Sequence, residues 1–167
     1  MYGGGLAAHG DGVDRDDRLA DAFERHRAWL VRRLALVVGD IDEAQDLCQE
    51  TFLRAAEHEL PEGDGAPRWL ATVGIRLAID ERRRRRRWGL LPIRETDATW
   101  AIAADPDLWQ ALRSLDRRTR AALLMTVIDG FTQDQAAEVL GVTRGTVASW
   151  LSRARDRLRP VLEDHDP

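Results

Sequence analysis

The chain has 167 residues, 44% of them hydrophobic, enough to bury one moderate core or two small ones. A formal net charge of −4 excludes an overall basic excess, so any nucleic-acid contact must rest on local clusters of the 25 basic residues, all arginine. The single Cys48 excludes an internal disulfide, and the scattered His9, His26, His58 and His165 exclude a metal-ligand spacing.

From the N-terminus, residues 1–15 are rich in Gly without periodicity and are expected to form a disordered tail. A helix is predicted from Asp16, with Leu19, Phe23, His26, Leu30, Leu34 and Val37 along one face and Gly39 as its terminator. Asp40 can cap a second helix over Ile41–Glu57, which buries Ile41, Ala44, Cys48, Phe52 and Ala55. Cys48 reads as a small buried hydrophobe rather than a redox switch. The opposite face carries Asp42, Asp46 and Glu50 at i, i+4 and i+8, beside Gln49 and Leu53. Such a ridge is either solvated surface or a dock for a basic protein, because its sign repels DNA.

The stretch 59–67 holds Pro61, Gly63, Gly65 and Pro67 and reads as a loop. A third helix begins near Arg68, buries Leu70, Val73 and Leu77, and ends in six consecutive arginines, Arg82–Arg87. At 100° per residue the run shows arginine on every side. A DNA backbone would neutralise it with counterion release, although cations also suit a helix C-terminus. Residues 89–105 lack a clear period and read as a flexible linker, able to span up to roughly 60 Å at about 3.3–3.6 Å per residue.

Pro106 stands at a first helical position; helices are predicted over 106–115 and 117–129, the second lined by Ala121, Leu124, Met125 and Ile128. Thr132 can cap a short helix with Ala136, Ala137 and Leu140 inward, and Gly141 suits a left-handed turn. Thr143 can cap a final helix that buries Val147, Leu151, Ala154 and Leu158. Its other residues include Arg144, Thr146, Ser149, Trp150, Arg153 and Arg155, side chains able to reach base edges and phosphates. This is a helix-turn-helix pattern. No strand pattern is present, and the fold expected is all-α in two small domains.

Three motifs carry a family resemblance. Asp46-Leu-Cys-Gln-Glu-Thr-Phe-Leu-Arg-Ala resembles the second conserved region of bacterial sigma factors. Trp69-Leu followed by Leu77-Ala-Ile-Asp and the arginine run resembles its promoter-melting continuation, and Gly141–Arg155 resembles the fourth region. With only these regions and a short linker, the chain resembles the extracytoplasmic-function (ECF) group of RNA polymerase sigma factors. The resemblance implies a region 2-like domain over 16–88, a linker over 89–105, a region 4-like domain over 106–162 and a tail over 163–167. It implies that Asp46, Gln49, Glu50 and Leu53 dock on core RNA polymerase. Arg76, Asp80, Arg82 and Arg83 would face the −10 element of promoter DNA, with the preceding loop holding an unpaired base. Arg144, Thr146, Ser149, Trp150, Arg153 and Arg155 would face the −35 element.

The sequence departs from the family at three places: Ile75-Arg76 replaces the usual Arg-Asn, the 59–67 loop is acidic without an aromatic residue, and Ala148 and Trp150 replace Lys or Arg. An anti-sigma protein is the regulator the family implies. No cofactor, metal or catalytic constellation is expected, so the chain reads as a non-enzyme. Apolar runs such as Leu34–Val38 are far short of a membrane span, and no secretory leader pattern opens the chain, so a cytoplasmic location is expected. The competing reading is a stand-alone helix-turn-helix regulator, which would usually bind as a dimer at two half-sites.

Overall fold

The computed structural model describes residues 10–88 and 106–163, with side chains described over 15–80 and 106–163. The expected linker and the residues at both termini lie outside them. All described secondary structure is helical: α1 (Gly10–Val38), α2 (Ile41–Glu57), α3 (Gly65–Trp88), α4 (Pro106–Arg113), α5 (Arg117–Leu123), α6 (Gln133–Leu140) and α7 (Arg144–Glu163). A π-helical turn, Leu124–Ile128, continues α5. Helix α1 begins at Gly10 rather than Asp16, so residues 10–15, expected in the tail, are helical.

Helices α1, α2 and α3 form the first lobe, around Leu30, Leu34, Val37, Cys48, Phe52, Leu70 and Ile75. The α1–α2 corner follows from two residues. Gly39 takes φ 82°, and the Asp40 carboxylate accepts the Glu43 amide at 2.8 Å, capping α2. Gly74 lets α3 press onto its neighbours, since a Cβ there would sit 3.1 Å from Leu34 and 3.3 Å from the Thr51 hydroxyl. Phe23, expected inside, is largely at the surface and meets Phe52 edge-on at 4.9 Å between ring centroids.

Helices α4 to α7 form the second lobe, around Trp109, Ala121, Leu124, Met125, Ala136, Leu140, Val147 and Leu151. Asp116 caps α5 by accepting the amides of Arg118 and Thr119. Ile128, expected to line the core, is instead 54% exposed, beside Val127 at 71%. The cause is the wide turn: the Asp129 amide bonds to the Leu124 carbonyl, five residues back, at 3.1 Å. That extra residue per turn rotates Ile128 outward and turns Asp129 toward α1.

The two lobes are in contact, and their apolar clusters are continuous. Between them lies a seam of arginines. Arg117 of α5 donates to both carboxylate oxygens of Glu43 on α2, at 2.7 and 3.0 Å, and to the Ala78 carbonyl of α3 at 2.9 Å. Arg33 of α1 pairs with Asp129 at 2.7 Å. Arg68 of α3 donates to Gln135 of α6 at 2.6 Å and lies 3.9 Å above the Phe131 ring.

Candidate nucleic-acid interface and docking faces

The helix-turn-helix assembles from local chemistry. Thr132 and Gln135 form a reciprocal capping box at the start of α6. Gly141 then enters the left-handed region at φ 65°, and the amides of Gly141 and Val142 bond to the Glu138 and Ala137 carbonyls, the Schellman closure of a helix end. Thr143 caps α7 by accepting the Thr146 amide at 3.2 Å. Val147, Leu151, Ala154 and Leu158 are buried and hold α7 on the lobe.

That burial fixes what α7 presents outward. Arg144, Ser149, Arg153 and Arg155 are exposed, while Thr146 and Trp150 are half-buried. The Thr146 hydroxyl is shared with Thr143 at 2.9 Å, so part of its capacity goes to the cap. Trp150 packs against the core cluster, which makes it partly a structural residue. At 100° per residue Arg153 and Arg155 point about 160° apart. Ser149 and Arg153 therefore share one outward arc with Gly145 and Ser152, which the sequence pattern did not single out, while Arg144 and Arg155 share a flank.

On the first lobe, Asp46, Gln49, Glu50 and Leu53 lie on one outward face of α2. Leu53 is 62% exposed, and Glu50 accepts from Arg54 at 3.2 Å. Arg76 and Asp80 sit one turn apart on the exposed face of α3; Arg82 and Arg83 follow on the same helix, and their side chains lie outside the described set. Beneath the loop before α3 is an open cavity of about 580 Å³, whose lining includes Arg18, His26, His58, Leu60 and Glu62. Arg18 pairs with Glu62 at 3.1 Å, so the acidic loop is tied back to α1. His26, from the middle of α1, and His58, at the end of α2, are brought to this cavity by the packing of the two helices, which no local pattern encodes.

Burial would raise the Asp116 carboxyl, but the Thr119 hydroxyl and the Thr119 and Arg118 amides outweigh it and hold it below the usual carboxylate range. Asp129 stands above that range because burial outweighs the attraction of Arg33 and Arg68. Burial likewise raises the Cys48 thiol, against a weaker pull from Arg27, leaving it largely protonated and unreactive. Among the described residues no group of three His, Cys, Asp or Glu could hold a metal ion, and no helix is long and apolar enough to cross a membrane.

A three-helix lobe with an acidic outward ridge is followed in this chain by a helix-turn-helix lobe. The family model for Sigma-70 region 2 matches residues 22–88, and that for Sigma-70, region 4 matches residues 106–158. The ECF RNA polymerase sigma factor EcfG of Rhodopseudomonas palustris is 32% identical over 161 residues, 89% of this chain and 84% of that protein. The ECF RNA polymerase sigma factor SigL of Mycobacterium tuberculosis is 32% identical over 155 residues, 85% of this chain and 87% of that protein. The solved sigma factor RpoE of Bartonella quintana, in complex with the anti-sigma factor NepR, shares the fold with a TM-score of 0.62 at 24% identity, over 92% of this chain and 99% of that one. The chain belongs to the ECF group of RNA polymerase sigma factors.

Proposed function

We propose that the chain directs core RNA polymerase to promoters through three separate faces, with no chemistry and no cofactor of its own. The α2 ridge of Asp46, Gln49, Glu50 and Leu53 docks on a basic surface of core polymerase. Its carboxylates repel DNA, and the exposed Leu53 supplies the apolar contact a protein partner would cover. The outward side of α3, with Arg76, Asp80 and the arginine run, meets the −10 element, and the cavity under the 58–64 loop receives an unpaired base. The α7 residues Arg144, Thr146, Ser149, Trp150, Arg153 and Arg155 meet the −35 element in the major groove. The working units are residues 16–88 and 106–162 joined by 89–105. The protein acts in the cytoplasm, held in check by an anti-sigma protein.

The observation that carries this reading is the pairing, in one chain, of an outward arginine-bearing recognition helix with an acidic, leucine-tipped helix face on the other lobe. A stand-alone regulator has no use for the second. Pull-down of core polymerase by the full chain and by the Asp46→Arg/Glu50→Arg variant tests it. Retention by the first and loss by the second, with helical content unchanged, is expected. Equal retention by both removes the docking role.

A further inference from the structure

We infer that Gly145 is the point of closest approach between the helix-turn-helix and DNA: its missing side chain lets α7 seat against base edges and so permits discrimination by Ser149. This rests on the function proposed above. Within residues 15–80 and 106–163, every other glycine has a reason inside the protein. Gly39, Gly63, Gly130 and Gly141 have positive φ, and a Cβ on Gly65 or Gly74 would come within 2.9 Å of Pro61 or 3.1 Å of Leu34. Gly145 has neither reason. It lies inside α7 without a positive φ, and a Cβ there would meet only the Thr143 hydroxyl, at an ordinary contact distance of 3.8 Å. The residue is exposed, so no buried neighbour excludes a larger one. Glycine in a helix costs stability relative to alanine. The requirement therefore lies outside the chain, in the surface that α7 rests against.

The position on α7 identifies that surface. Val147, Leu151, Ala154 and Leu158 define the buried side of the helix. At 100° per residue, Gly145, Ser149 and Asp156 fall within about 40° of one another, opposite that side. The first two turns of this line carry only a hydrogen atom and a hydroxymethyl group, so the helix backbone can come close to the floor of a groove. Arg153 borders the line and Arg144 stands on its flank, both exposed. Asp156, farther along, repels phosphates and pairs with Arg159 at 3.0 Å, which limits contact to the N-terminal half of α7. Distance then decides what a side chain at residue 145 would do. A hydroxyl bonds to oxygen over about 2.5–3.0 Å. A methyl on Gly145 would project one C–C bond, about 1.5 Å, beyond the present surface. Serine is too short to follow the helix outward, whereas arginine on its long stem can.

The test compares the parent chain with Gly145→Ala, Ser149→Ala and the double variant, each assembled with core polymerase. The probes are a promoter fragment recovered by run-off transcription and a random duplex of equal length. Gly145→Ala should raise the thermal midpoint of the free chain by about 1–3 °C, because alanine fits the helical backbone and restricts the unfolded chain. The same variant should bind core polymerase as the parent does, lose about tenfold in promoter affinity and keep its affinity for the random duplex. The double variant should be no weaker than the worse single, since both substitutions remove the same contact. A gain in stability joined to a loss at the promoter is a pattern that damage to the fold cannot produce.

Promoter affinity of Gly145→Ala equal to the parent's overturns the close approach, as does an equal loss on both duplexes. Losses that simply add in the double variant overturn it too, because Gly145 and Ser149 would then act independently. A lower thermal midpoint overturns it as well, since the glycine would then serve the fold. Parent holoenzyme that cannot tell the promoter from the random duplex counts instead against the proposed function.

Discussion

Arg117 and Glu43 lie 74 residues apart in sequence, yet both guanidinium nitrogens of one meet both carboxylate oxygens of the other inside the protein. The fork joins the α1–α3 lobe to the helix-turn-helix lobe. An arginine is required for that geometry, because a lysine could not reach two oxygens and the Ala78 carbonyl as a planar donor.

Truncating one partner of this pair is expected to cost far more than replacing both. Glu43→Ala leaves a buried guanidinium without its carboxylate, held only by the Ala78 carbonyl, and should destabilise the protein by about 3–5 kcal/mol, whereas Glu43→Leu/Arg117→Leu should stay close to the parent. Urea denaturation of the two singles and the double gives the coupling directly. Singles and double of equal cost would mean that the fork contributes through packing alone.

Two carboxylates should respond to pH with opposite sign. Asp116 sits below its ordinary range in the folded chain, so its contribution is present above the unfolded pKa and is lost as pH falls through the folded one. Asp129 sits above its ordinary range, so its contribution is present below the unfolded pKa and is lost as pH rises through the folded one. Asp129 faces Arg33 of α1 and feels Arg68 of α3, and neither offsets its burial. Asp129→Asn should therefore leave neutral-pH stability unchanged or higher and remove the decline on the alkaline side of the carboxylate range. Denaturation midpoints of parent and variant across acid to neutral pH check this, and a large loss at neutral pH would contradict it.

The Asp116 cap has a separate size. Asp116→Ala exposes the amides of Arg118 and Thr119 at the start of α5 and should cost roughly 1 kcal/mol, within the range of about 0.5–2 for such caps. Asp116→Ser, which can still accept, should recover most of it. Thermal unfolding of the three proteins side by side reads both effects.

Local chemistry was legible in the sequence and long-range pairing was not. The Thr132 cap, the Gly141 turn and the stripe Val147, Leu151, Ala154 and Leu158 each depend on residues a few positions apart, and all are found as expected, the Thr132 cap extended by Gln135 into a reciprocal box. The start of α2 follows from Asp40 in the same way. The π-helical turn escaped because Leu124–Ile128 carries an ordinary apolar pattern, and only the tertiary position of Asp129 reveals the shifted hydrogen bond. Glu43 resembled any first-turn acid beside Asp42, and Arg117 any first-turn residue beside Arg118. Their burial depends on a partner that no local pattern encodes.

On the recognition helix, Arg153 and Arg155 should separate by function. Arg153 lies on the outward arc with Ser149, so Arg153→Ala should weaken binding of the holoenzyme to its own promoters by about 1–3 kcal/mol while sparing random DNA. Arg155 lies on the flank, so Arg155→Ala should weaken all duplexes alike and reduce the salt slope by about one. Salt titrations on promoter and random fragments distinguish the two, and identical profiles would place both arginines on the phosphate backbone.

Run-off transcription from fragmented genomic DNA, with core polymerase alone and with this chain added, tests the central claim most directly. Discrete start sites that appear only with the chain, and vanish with Asp46→Arg/Glu50→Arg, are the expected result. Transcripts identical with and without the chain, from a polymerase shown to accept another sigma factor, would contradict it.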